Sequence, residues 1–217
     1  MDNVRTLKTE LDRATMRGIF DRWGETISEA CKYSSLPPEF LASLIANESG
    51  GNPDKTQFDA DAYRCLWTVR AGAELRYLSI TQEDLLALGN KELRELATSW
   101  GLTQIKGNQV LRERESPRRL LHPVFNLHKA VELIAVFCEY CQLDPRVEFA
   151  DLFRCWKTGR PDGTTLDREY VEDGLRRLVI CRELTSPSTT QPGFAGVSAP
   201  ARGRVGAEVP IERVGGR

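Results

Sequence analysis

The sequence predicts a mainly α-helical domain followed by a disordered C-terminal tail. Three observations predict it. Apolar residues recur at spacings of three and four up to about Arg182, the period of a helix. No stretch sustains the apolar and polar alternation expected of a set of half-buried strands. From Thr185 onward the composition turns to Ser, Pro, Gly, Ala and Arg, with too few apolar anchors to offset the entropy of ordering the chain.

The bulk properties bound the function. The chain has 217 residues, 41% of them hydrophobic, enough for one compact domain with appendages. Lys+Arg number 30 against 31 Asp+Glu, so the excess of basic charge that phosphate contacts require is missing and nucleic acid is not an expected partner. The longest apolar stretches, LASLIA and LIAVFC, fall far short of the roughly 20 residues that span a bilayer. No membrane span is expected. The first 18 residues, MDNVRTLKTELDRATMRG, are charged throughout and lack the apolar region of a secretory signal, which predicts a chain made in the cytoplasm.

The elements follow in order. Residues 1–35 form an N-terminal helical segment packing on the core, with Leu7, Leu11, Ala14, Ile19, Phe20, Trp23, Ile27 and Ala30 marking one long or two short helices. Residues 36–184 form the main domain. Its first helix starts at Ser34-Ser35-Leu36-Pro37-Pro38-Glu39, where prolines are tolerated and an acidic side chain meets the positive end of the helix dipole. It runs to about Asn47, where Gly50-Gly51-Asn52-Pro53 stops it. Two short helices are predicted over 82–97 around Gly89-Asn90, a helix buried on most sides over 126–142, one over 147–156, and a last one from Asp167, as N-cap, to about Arg182. Residues 185–217 are the tail.

Six cysteines, at positions 31, 65, 138, 141, 155 and 181, read as reduced core thiols, since free cysteine behaves as a small buried hydrophobe. The Cys138-x-x-Cys141 pair lies within an apolar helical run, with no second such pair and only His122 and His128 to add ligands, so no metal is expected.

The chemistry-bearing stretch is Phe40 to Asn52. On a helix Leu41, Leu44 and Glu48 share one face, so the Glu48 carboxylate continues an apolar stripe. It is expected at the edge of the core, where partial desolvation favours the protonated form that a general acid needs. A surface glutamate beside a helix end is the plainer alternative.

Glu48-Ser49, at the end of an apolar helix and before Gly and Asn, resembles the catalytic motif of the soluble lytic transglycosylases and their goose-type lysozyme relatives. Ser99-Trp100-Gly101-Leu102-Thr103-Gln104-Ile105 is similar to a second motif, G-L-M-Q-I, with Thr103 in place of Met. Cys155-Trp156-Lys157-Thr158-Gly159 stands where A-Y-N-A-G is found, and Tyr170-Val171 matches the tyrosine that closes the pattern. The four occur in order over roughly residues 36–182.

The resemblance implies a lysozyme-like helical domain that cuts the β-1,4 bond between N-acetylmuramic acid and N-acetylglucosamine of peptidoglycan, with no metal or organic cofactor. It implies that Glu48 acts first as acid and then as base, closing a 1,6-anhydro ring on the muramic sugar. Ser49, Gly101, Leu102, Gln104 and Ile105 would line the saccharide site, Ser49 equally serving as a helix cap and Leu102 and Ile105 equally packing a turn. Trp156, like Trp100, would stack on a sugar or belong to the core. Tyr170 would orient the Glu48 carboxyl. The site of action is then the cell wall, reached after release or non-classical export.

Two departures from the family pattern open alternatives. Lys157 replaces the motif Asn and brings a cation that favours an ionised carboxylate, leaving a non-catalytic glycan-binding module as one alternative. The long interval between Glu48 and Gly101, with an insertion at about 54–98, contains Asp59, Asp61, Tyr63, Trp67 and Glu74. It is scaffold, a lid, or the source of a second carboxylate. Asp59 or Asp61 holding a water opposite Glu48 would make a hydrolysing lysozyme of inverting geometry.

Overall fold

The computed structural model describes residues 2–73 and 80–186, and among these it is mainly α-helical with one small sheet. The first helix, α1 (Asp2–Cys31), is a single unbroken element. Its buried side is Asp12, Met16, Ile19, Ile27 and Ala30, with Trp23 half-buried, so the segment packs on the main core through α1. Leu7 and Leu11, read from the sequence as part of the apolar set, are instead 65% and 69% exposed, while Asp12 is 3% exposed. The register of the first turns is set by a buried carboxylate.

Helix α2 (Pro38–Glu48) starts with proline in its first turn, where the missing N–H has no intrahelical partner to lose. Phe40, Leu41, Leu44 and Ile45 are fully buried. The helix closes where the N–H groups of Ser49 and Gly50 both donate to the Ile45 carbonyl, at 2.9 and 3.1 Å. Glu48 is its last residue.

The sheet consists of β1 (Thr56–Phe58), β2 (Thr98–Trp100) and β3 (Ile105–Lys106), antiparallel in that order, with Thr56 opposite Trp100 and Trp100 opposite Ile105. The sequence predicts no strand. Two or three residues are too few to display an alternation, against a usual strand length of about 5 to 6. Between β1 and β2 the chain makes an excursion through α3 (Ala60–Arg70), α4 (Gln82–Leu85) and α5 (Asn90–Leu96). This excursion has a core of its own, built on Leu66, Val69, Ile80, Leu85, Leu93 and Leu96. The interval at about 54–98 thus holds a small helical cluster carried by a hairpin. Glu74 lies outside the described residues.

Two 3-10 turns (Gly107–Val110 and Pro117–Leu121) lead to α6 (Pro123–Cys141), α7 (Phe149–Thr158) and α8 (Tyr170–Thr185). Helix α6 starts three residues before its predicted position, and burial on most sides holds only for its first half. Asn126, Leu127, Lys129, Ala130 and Ile134 are buried, whereas Val136 and Tyr140 are exposed. Asp167 is not the cap of α8. Its side chain accepts the Glu169 N–H at 3.0 Å and its carbonyl accepts the Tyr170 N–H at 3.3 Å, forming a turn ahead of the helix. Thr185 is helical, and the predicted tail beyond Ser186 lies outside the described residues.

Phe40 anchors the main core, with ring centroids 4.6 Å from Phe153 and 5.9 Å from Phe149. Helix α8 approaches α7 at Gly174, where a Cβ would stand 2.6 Å from the Phe153 ring. All six cysteines are thiols; Cys31, Cys155 and Cys181 are buried, and desolvation pushes each up to about 12, so they stay protonated. Among the described residues no helix is long and apolar enough to cross a membrane.

Candidate active site

Three helix ends meet at one carboxylate. Glu48 is supplied by the last turn of α2, Lys157 by the last turn of α7, and Tyr170 by the first residue of α8. Because α2 is buried along Leu41, Leu44 and Ile45, its final residue stays at the core boundary, and Glu48 is 7% exposed. The Tyr170 hydroxyl donates to Glu48 Oε1 at 2.5 Å. Burial, then the charge of Glu48 and the bond to it, raise the Tyr170 phenol far above its ordinary value, so it remains a donor.

Lys157 points at the same oxygen. Its Nζ is 3.7 Å from Glu48 Oε1 and 4.9 Å from the centroid of the Tyr170 ring, and its side chain is 44% exposed. Glu48 Oε2 accepts no hydrogen bond among the described residues. One carboxylate oxygen is therefore fixed and the other has no such partner.

The backbone behind the carboxylate is fixed as well. Asn47 Nδ2 donates to the Tyr170 carbonyl at 2.9 Å, and Arg177 Nη1 donates to Asn47 Oδ1 at 2.6 Å. Arg177 Nε in turn donates at 2.8 Å to Asp12, which also receives Arg176 at 2.7 Å. A buried carboxylate is costly unless it is paired, and two guanidinium groups pair this one. The chain α1, α8, α2 thus holds Tyr170 and Glu48 in register. None of Asp12, Asn47 or Arg177 was singled out in the sequence; the available signal was the charged residue in line with Met16 and Ile19 on α1.

Lys55 joins Glu48 to the turn that follows β2. Its Nζ donates to the Glu48 carbonyl at 2.5 Å, placing a cation at the negative end of α2. Its own carbonyl accepts the Gly101 N–H and Gln104 Nε2, both at 2.9 Å. Gly101 has φ +77, and a Cβ there would lie 2.2 Å from the Leu120 carbonyl oxygen, so only glycine fits. Asn126 ties the turn to α6 by accepting from Thr103 N and Oγ1 at 3.0 and 2.7 Å and donating to the carbonyls of Trp100 and Leu120. The hydroxyl of Thr103, where the resemblance expects Met, is explained by that partner.

The remaining candidates separate. Ser49 caps the helix, donating to the Ile45 carbonyl at 3.3 Å and accepting the Gly51 N–H at 3.2 Å. Leu102 and Ile105 are core residues, 0% and 2% exposed, so their side chains line no saccharide site and only their backbone borders the turn. Trp100 is likewise buried, its indole N–H donating to the Glu95 carbonyl at 3.0 Å. Trp156 is half-buried against the main core. Gln104 Nε2 donates to the carbonyls of Lys55 and Gly101, while its Oε1 is buried without a partner among the described residues.

Neither Asp59 nor Asp61 is poised as a base. Asp59 is the N-cap of α3, with Oδ1 accepting from Asp61 N and Ala62 N and Oδ2 paired with Lys106. Burial works to raise its carboxyl, but these donors outweigh it and hold it below the ordinary value. Asp61 is exposed and paired with Arg64. Among the described residues no group of three His, Cys, Asp or Glu side chains is placed to hold a metal ion. A concavity of about 470 Å³ lined by Arg119, His122, Val124, Phe125 and His128 involves none of the residues around Glu48.

Compared with known proteins, the chain matches no family model, no curated protein and no solved structure.

Proposed function

We propose that the protein is a peptidoglycan lytic transglycosylase acting at the cell wall, with Glu48 as its single catalytic acid and base. The observation that carries this reading is the Tyr170 to Glu48 hydrogen bond. A phenol that cannot ionise fixes one oxygen of a nearly buried carboxyl, and the second accepts no hydrogen bond among the described residues. The protonated carboxyl gives its proton to the glycosidic oxygen of the leaving N-acetylglucosamine as the bond to C1 of the muramic sugar breaks. The sugar's 6-hydroxyl then closes on C1 and returns its proton to Glu48. No water is consumed, and no second carboxylate is needed. The engagement of Asp59 and Asp61 elsewhere favours this outcome over an inverting hydrolysis, which requires a free second carboxylate.

One observation favours a second reading. Lys157 Nζ lies 3.7 Å from Glu48 Oε1, an ion pair that suits holding a polar glycan as well as cutting one. A glycan-binding module without activity would keep this geometry. Digestion of purified peptidoglycan with the wild type and with Glu48→Gln, followed by weighing of the soluble products, tests the proposal. Anhydro products, lighter by one water than hydrolysis products, are expected from the wild type and not from the variant. Bound but uncut glycan would support the second reading.

A further inference from the structure

Lys157 holds unspent binding capacity at the centre of the site. It donates no hydrogen bond among the described residues, its contact with Glu48 at 3.7 Å is beyond hydrogen-bond length, and nearly half of its side chain is exposed. The other lysines nearby are engaged: Lys55 donates to the Glu48 carbonyl and Lys106 pairs with Asp59. Lys157 also stands at the end of α7, fixed by the helix and by the Tyr170 ring beneath it. It is an ammonium with three donors, fixed at its root, free at its tip, and 3.7 Å from the Glu48 oxygen that Tyr170 holds.

We infer that Lys157 is a specificity-determining residue that binds a carboxylate carried by the substrate next to the scissile bond. This inference rests on the transglycosylase reading of the site. In peptidoglycan the muramic sugar carries a lactyl group, whose carboxylate is free only where the stem peptide has been removed. The substrate class is therefore glycan strands without stem peptides. A lactyl carboxylate also competes with Glu48 for the ammonium. Binding of the correct strand draws the cation away from Glu48 and onto the substrate. Lys157 thereby reserves the site for one kind of strand.

The test uses two substrates that differ in one group: glycan strands stripped of stem peptides, and the same strands with their lactyl carboxylates converted to methylamides. Cleavage is measured for the wild type, Lys157→Asn and Lys157→Arg, and equilibrium binding for the same set on a Glu48→Gln background. The wild type is expected to cut the free-carboxylate strands about tenfold more efficiently than the amides, the worth of one charge-assisted hydrogen bond. Lys157→Asn loses the preference and Lys157→Arg keeps it. Equal cleavage of both strands by the wild type, or a preference that survives in Lys157→Asn, overturns the inference while leaving the transglycosylase reading intact. If no strand is cut but binding still depends on the carboxylate and on Lys157, the catalytic reading falls and the carboxylate site stands. Binding indifferent to the carboxylate overturns the site.

Discussion

The Tyr170 hydroxyl stands 2.5 Å from Glu48 Oε1, joining two residues 122 positions apart in the sequence. Both belong to helix ends, and both helices are buried against the same aromatic cluster, the Phe153 ring meeting Tyr170 edge-on at 6.2 Å. The carboxyl is thereby oriented by core packing instead of by a mobile loop, which is what precise proton transfer requires.

Tyr170→Phe removes the donor and keeps the ring. Loss of the fixed carboxyl geometry is expected to lower kcat on peptidoglycan by about 10²-fold, with the helical circular dichroism unchanged. A variant as active as the wild type would show that the bond does not position the acid.

Gly101→Ala forces a side chain into the Leu120 carbonyl at a residue with φ +77. Strain of this kind costs about 1–3 kcal/mol for the backbone conformation, and the clash adds to it. Urea unfolding is expected to show a free energy of unfolding lower by at least that amount, and an unchanged midpoint would mean that the turn relaxes freely.

Asn126→Ala removes four hydrogen bonds at a residue with no exposure. Buried groups left without partners cost about 1–3 kcal/mol each, so the loss should reach about 3 kcal/mol or more. Because Gly101 and Gln104 contact Lys55, which holds the Glu48 carbonyl, activity measured well below the melting temperature should fall as well. Destabilisation with full residual activity would uncouple the turn from the site.

Much of this arrangement is legible in the sequence. The end of α2 at Glu48 follows from an apolar period of three and four running into two glycines, and the later motifs name Lys157 and Tyr170, which the fold brings to the same oxygen. Other features leave no periodic trace. Strands of two or three residues have no measurable alternation, and Lys55 acts through its backbone carbonyl and its ammonium at once, a role unrelated to its neighbours in the chain. Asp12 hides within a charged segment, where the period alone favours Leu11. The buried face of α1 turns on the two arginines of α8, which lie more than 160 residues away.

Acid should weaken the clamp between α1 and α8. Burial works to raise the Asp173 carboxyl, but Lys8 and Arg176 outweigh it and hold it below its ordinary value. A carboxylate depressed in the folded state contributes stability above its unfolded value, about 3.9, and loses it as the pH falls through the folded value. Asp173→Asn is expected to lower the urea midpoint at pH 7 and to flatten its decline below about pH 4. A variant whose acid decline matches that of the wild type would place the titrating groups elsewhere.

In the proposed mechanism Glu48 breaks the glycosidic bond alone, without water. Digestion of purified peptidoglycan in water enriched in heavy oxygen tests it most directly, with the mass of each new chain end read by spectrometry. Anhydro ends with no heavy oxygen are expected from the wild type, and no new ends from Glu48→Gln. Heavy oxygen at the new anomeric carbon, or products from Glu48→Gln, would contradict it.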